Sequence, residues 1–208
     1  MNRAELKTKA KRQMSGRIGM LILIMLIIGI ITIAATTFLA LIPVVGPLIS
    51  SLIVGPAFSL SIVKMYLNLT NDEAPEVADA FEGFNDFWSA FKVTFLVGLF
   101  TFLWSLLFII PGIIKSYSYS MSMYILAENK GKPALECIRE SQEMTNGYKM
   151  DLFVLGLSFL GWILLGCVTL GIAFLWVSPY MYATVANAYV WLKEQAGFNT
   201  AQTAEQTF

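Results

Sequence analysis

From Leu152 to Leu192 the chain runs 41 residues without one Asp, Glu, Lys or Arg. Gly166 and Gly171 divide the stretch near its middle, leaving halves of about 20 residues. At about 1.5 Å per residue, a helix of that length covers about 30 Å, the hydrocarbon thickness of a bilayer. Lipid offers the backbone no hydrogen bonds, so a crossing segment must satisfy its own, and a helix does so. The stretch reads as two membrane-crossing helices over 150–168 and 171–192, joined by a tight turn.

Two similar hairpins lie upstream. Ile18 to Val63 is uncharged and breaks at Ile42-Pro43-Val44-Val45-Gly46-Pro47, which predicts helices over 18–42 and 48–69. A further uncharged run between Lys92 and Lys115 predicts a helix over 91–110, a turn at Pro111–Gly112 and a polar helix over 112–128. Ser116 to Ser122 alternates like a strand, but an isolated strand cannot satisfy its backbone in lipid. The chain is therefore expected to be an all-α integral membrane protein: six transmembrane helices in three hairpins, one membrane domain over 1–193 and a polar tail over 194–208. Only 13% of residues are charged, against about 25% in soluble domains. The apolar run after Arg17 is about 25 residues, too long for the core of a cleavable signal, about 7–15. It reads as a retained first helix.

Charge sets the expected orientation. With the N-terminus in the cytoplasm, thirteen of the fourteen Lys and Arg fall on cytoplasmic segments or inner helix ends, and only Lys115 falls toward the outside. The positive-inside rule then puts both termini in the cytoplasm. Six of the basic residues, Arg3, Lys7, Lys9, Lys11, Arg12 and Arg17, lie in the leader over 1–17, where Leu6, Ala10 and Met14 form one apolar helical stripe. Such a helix suits anionic lipid at the cytoplasmic surface. The segment over 70–91 holds six of the fourteen acids. Interleaved with them are Phe81, Phe84, Trp88 and Phe91, which predict an amphipathic interfacial helix over 76–90 anchored by its aromatics. The segment over 129–149 reads as a solvated surface helix between Pro133 and Gly147.

Candidate chemistry is sparse. There is no His, hence neither the commonest general base nor the commonest transition-metal ligand. Cys137 and Cys167 fall on opposite sides of the expected bilayer and read as packing residues. No nucleophile–base pair or carboxylate pair occupies an expected helix centre, so no catalytic, cofactor or metal residue is assigned and no enzyme is expected. Lys115, Ser118, Ser122 and Asn187 could line a polar path between the second, fourth and sixth helices. Pro56 and Pro179 would kink the second and sixth. Each stands ten residues before a tyrosine, Tyr66 and Tyr189, a weak internal echo between 55–69 and 178–192. The basic leader lacks the aromatic platforms of nucleic-acid binding.

Several segments in this order carry a family likeness. They are the basic leader with its first helix, Phe81-Glu82-Gly83-Phe84-Asn85-Asp86-Phe87-Trp88, Ile110-Pro111-Gly112-Ile113-Ile114-Lys115, Ile138-Arg139-Glu140-Ser141 with Asn146-Gly147-Tyr148-Lys149, and Leu157 to Trp162 with Thr169-Leu170-Gly171-Ile172 and Pro179-Tyr180. The chain resembles a bacterial integral-membrane family catalogued as domain of unknown function 975. The Pro-Gly-Ile turn and the serine helix after it bear a weaker likeness to membrane domains attached to some glycerophosphodiester phosphodiesterases. The first resemblance implies a bacterial plasma-membrane location and brings no activity or site residues. The expected role is a non-catalytic scaffold or accessory protein of the cell envelope, with a membrane protein or a second copy as partner. The alternative is a small permease or channel.

Overall fold

The computed structural model describes the backbone of residues 1–40 and 45–205, and the side chains of residues 1–40 and 52–197. Among these residues every regular element is helical. Helix α1 (Arg3–Met14) is capped by Asn2, whose side-chain oxygen accepts from the Glu5 amide at 3.4 Å. A two-bond joint then leads to α2 (Ile18–Leu39): the Arg17 guanidinium donates to the carbonyls of Asp72 (2.8 Å) and Glu73 (3.4 Å), just past the end of α3 (Val45–Thr70). The turn expected at Ile42–Pro47 involves residues 41–44, which lie outside the described residues. Gly46 and Pro47 belong to the first turn of α3, where a proline loses no hydrogen bond.

The segment expected as one helix over 76–90 is instead a 3-10 helix, Val77–Asp86, followed by α4 (Phe87–Leu107). Its start is fixed by a reciprocal cap: the Glu76 side chain accepts from the third residue's amide, and Asp79 accepts from the Glu76 amide at 2.8 Å. A 3-10 helix superposes residues three apart. Ala80 and Gly83 therefore share the buried face, while Phe81 and Phe84 share the exposed one.

The turn expected at Pro111–Gly112 sits earlier, at Leu107–Phe108, where Phe108 is extended (φ −159°, ψ 146°). Pro111 and Gly112 open α5 (Ile109–Tyr119) rather than close α4, again because a first turn has no use for the missing amide. A Cβ on Gly112 would lie 2.2 Å from Ser105 Oγ, so the glycine sets how closely α4 and α5 approach.

The expected fourth helix is broken into α5 and α6 (Ser122–Glu128). Helix α7 (Ala134–Met144) follows, then α8 (Lys149–Leu157) and α9 (Leu160–Val168), which together make the expected fifth helix with a break at Ser158–Phe159. Helix α10 begins at Phe174 and runs to Glu205, so the polar tail expected from 194 continues the last helix. Pro56 and Pro179 lie within α3 and α10, and neither ends its helix.

Among the described residues, four stretches are long and apolar enough to cross a membrane: Ile18–Leu39, Leu52–Thr70, Val77–Leu107 and Lys149–Val168. The exposure pattern is the inverse of a soluble protein's. Leu106, Ile109, Val168 and Ile172 are at least 65% exposed, whereas Ser61, Ser118, Ser122 and Thr184 are completely buried. Burial is also unequal along the bundle. It concentrates at the end that carries the charged segments, in Met65, Tyr66, Ile125, Leu126, Tyr189 and Leu192. Helices α3 and α10 form its centre: α3 touches α2, α4, α6, α10 and the 3-10 helix, and α10 touches α1, α2, α7 and α9. The stripe of α1 (Leu6, Ala10, Met14) is buried in this core instead of facing lipid.

The 3-10 helix is held on α3 by two polar contacts and one missing side chain. The Gly83 amide donates to Ser61 Oγ at 2.8 Å, and Lys64 Nζ meets Asp86 Oδ2 at 3.1 Å. A Cβ at Gly83 would lie 2.0 Å from the Ala57 carbonyl oxygen and 2.7 Å from the Ser61 nitrogen. Those are backbone atoms of a packed helix and cannot rotate away. Gly83→Ala is expected to destabilise the detergent-solubilised protein by about 1–3 kcal/mol, read as a lowered thermal midpoint, while Gly98→Ala on α4, where a Cβ meets nothing within 4 Å, leaves it in place.

Candidate functional site

The break between α5 and α6 falls at Ser120–Met121. In a helix such an interruption strands a carbonyl and an amide. Here α7 supplies both partners: Ser141 Oγ donates to the Ser118 carbonyl at 2.8 Å and accepts from the Met121 amide at 3.1 Å. Thr145 Oγ1 donates to the Ser141 carbonyl at 2.7 Å and lies 3.4 Å from the Ser118 carbonyl. Ser141 and Thr145 are fully buried, as are Cys137 and Ile138 on the same side of α7. The segment expected to be a solvated surface helix is thus a packed strap on α5 and α6. Its outer side carries the exposed Arg139–Glu143 pair at 3.8 Å and the ion pair of Lys132 with Glu140. That partner holds the Lys132 ammonium above its ordinary pKa, while burial pushes the Cys137 thiol up and leaves it a poor nucleophile.

Behind the strap, tyrosines fill the space between α3, α6 and α10. Tyr66 stacks on Tyr182 with ring centres 5.6 Å apart, and Tyr124 stacks on Tyr189 at 5.2 Å. Tyr66, Tyr124 and Tyr189 are buried. The Tyr189 hydroxyl donates to Glu128 Oε2 at 2.8 Å, and Lys193 Nζ donates to the same oxygen at 2.6 Å. Two residues before Tyr189 on α10, Asn187 Nδ2 donates to Gln13 Oε1 at 2.6 Å, and Gln13 Nε2 lies 3.4 Å from the Thr70 carbonyl. This chain of bonds ties α10 to α1 and α1 to the end of α3. Among the described residues, three buried side-chain polar atoms have no protein partner: the hydroxyls of Tyr66 and Ser122 and Oδ1 of Asn187.

The four residues considered for a polar path face different neighbours. Ser118 turns its carbonyl to α7 and its hydroxyl to the Ile114 carbonyl at 3.0 Å. Asn187 faces α1, and Ser122 is buried without a partner. Lys115, three residues before Ser118 on α5, has its Nζ 4.9 Å from the Trp104 ring centre and 6.0 Å from that of Tyr119, a cation–π cradle. The four anchor aromatics form two pairs: Phe81 and Phe84 lie at 6.4 Å, and Trp88 and Phe91 at 6.0 Å. Phe81, Phe84 and Trp88 are exposed, while the Phe84 ring edge also meets Phe58 on α3 at 5.2 Å.

Sequence reasoning missed the tyrosine seam, although Tyr66 and Tyr189 were visible as equivalent positions of the internal echo. It also missed the strap, for which the grouping of Ser141 and Thr145 on one face was the available signal. Removing the strap's hydroxyl leaves a buried amide and carbonyl unpaired, each a loss of about 1–3 kcal/mol. Ser141→Ala should therefore lower stability by at least about 1 kcal/mol in thermal unfolding, whereas Arg139→Ala, which removes an exposed ion pair, should shift it by less than about 0.5 kcal/mol.

Two matches to one family model cover residues 1–115 and 106–196. No curated protein and no solved structure matches the chain, so the weaker likeness to phosphodiesterase membrane domains rests on its motifs alone. With nearly its whole length matched, the chain belongs to the family described as Protein of unknown function (DUF975).

Proposed function

We propose that this chain is a bacterial plasma-membrane protein of six spans with both termini in the cytoplasm, and that it acts as a non-catalytic scaffold. In this reading α5–α6 and α10 join the four apolar spans, since 20 residues of α5–α6 give about 30 Å and α10 is longer. The observation that carries the scaffold reading is the tyrosine seam. Two stacked pairs occupy the space between α3, α6 and α10 through which a solute would have to pass. The cytoplasmic end is bound into one body by α1, the 3-10 helix and α7, and it presents a charged platform of Lys9, Arg12, Arg139 and Glu143 to a membrane-protein partner or a second copy. The bilayer is the first partner: exposed Phe81, Phe84 and Trp88 suit the interface, and the basic leader suits anionic lipid.

A permease remains the second reading because of the unpartnered Tyr66, Ser122 and Asn187 atoms, which lie on the three helices expected to line a path. Proteoliposome flux separates the two. The scaffold reading expects no uptake of ions or small polar solutes above empty vesicles. Uptake that is lost in Ser122→Leu would transfer the assignment to a permease.

Orientation is checked by single cysteines in a background lacking Cys137 and Cys167. A cysteine at Leu170, 94% exposed in the α9–α10 turn, should react with an impermeant maleimide on intact cells. One at Ser15, exposed in the α1–α2 joint, should react only after permeabilisation. The reverse pattern overturns the topology.

A further inference from the structure

A cavity of about 550 Å³ opens beside the joint between α1 and α2, within the range of about 300–1,000 Å³ seen for ligand sites. Lys11, Met14 and Ile18 form one side; Trp162 of α9 and Trp176 and Tyr180 of α10 form the other. No Asp or Glu lines it. Both tryptophans are about half exposed or more, at 48% and 62%, and both stand on helices whose outward residues are apolar. Lys11 is exposed, as are Arg3, Lys9 and Arg12 of the same leader, while Lys7 and Arg17 are half-buried. The cavity is thus charged at the α1 edge and aromatic above it.

We infer that this cleft holds one anionic phospholipid of the cytoplasmic leaflet, its phosphate at Lys11 and an acyl chain between Trp162 and Trp176. The inference rests on the membrane reading above. A free phosphate would find one lysine on a mostly apolar wall, whereas a lipid matches both halves of the cleft. Lipid tails are already out of water, so burial by itself favours no particular lipid. Selectivity comes from the charge at Lys11, and residence comes from the flat rings that bound the chain. The buried stripe of α1 fixes Lys11 against the bundle: Ala10 is completely buried beside it, and Gln13 is bonded to Asn187.

The test uses the full chain in vesicles of phosphatidylcholine with a minor fraction of phosphatidylglycerol, one of the two carrying brominated acyl chains that quench tryptophan. Flotation on a density gradient first shows whether the chain is in the membrane. A chain that does not float refutes the membrane reading and this site with it. In the floated protein, brominated phosphatidylglycerol should quench more strongly than brominated phosphatidylcholine at equal fraction. Lys11→Gln should reduce that preference about fivefold, the weight of one basic side chain at an anionic surface. The excess should vanish in Trp162→Phe/Trp176→Phe, while quenching of Trp88 and Trp104 by bulk lipid persists. Lys9→Gln, on the exposed side of α1 and not lining the cleft, should keep the preference. Equal quenching by the two lipids in the unmodified protein, or a preference that survives Lys11→Gln, overturns the site and leaves the spans untouched.

Discussion

A carbonyl or amide left unpaired inside lipid has no water to turn to, and this requirement governs the arrangement at the centre of this protein. The helix from Ile109 to Glu128 breaks, yet the break is repaired by a side chain from outside the span. Ser141 acts at once as donor to Ser118 and acceptor from Met121. That double role fixes where α7 must lie. Once α7 is strapped to the break, its buried face covers α4 and α6, and the tyrosines lie behind it. The same accounting explains Ser61, whose hydroxyl donates to the Ala57 carbonyl at 3.1 Å and accepts from the Gly83 amide. In both places a small hydroxyl residue lets a short element dock on its neighbouring helices without leaving a polar group unpaired.

How much of this was legible in the sequence depends on the range of the interaction. The long apolar runs were legible because span length and lack of charge are local properties, and four of the stretches they mark are helices long enough to cross a bilayer. The turn expected at Pro111–Gly112 falls a few residues earlier because Pro111 is compatible with both the end of one helix and the start of the next; the close approach of Gly112 to Ser105 decides between them. The 3-10 helix was mistaken for an α-helix because aromatic spacings of three, four and three also fit a 3.6-residue period. The discriminating signal was the small pair Ala80 and Gly83 at spacing three. What contacts what across the bundle was not legible: nothing local says that Gln13 meets Asn187, 174 positions away.

The leader shows how a local reading can be right in pattern and incomplete in consequence. Leu6, Ala10 and Met14 do form a stripe, but α3 and α10 cover it. Lys7 is held over the Phe159 ring at 4.5 Å, with burial and then Arg3 lowering its affinity for a proton. The remaining cations are thereby presented outward from a fixed base. A basic helix lying loose on a membrane samples many lipids. One clamped by its apolar face offers its charges at set positions.

The uneven burial along the bundle follows from the solvent at each end. Near the charged segments water is close, and any apolar surface left open there would be wet. Apolar packing is strongly favoured at that end, and Tyr66, Tyr189, Ile125 and Leu192 are closed off. Toward Phe38, Leu106 and Leu164 the surroundings in the proposed orientation are hydrocarbon, and a leucine is as well solvated by lipid as by another helix. Those residues stay exposed because little drives them together. A bundle tight at one end and open at the other is suited to holding the short elements of its charged end rigidly while its apolar end accommodates lipid or another membrane protein.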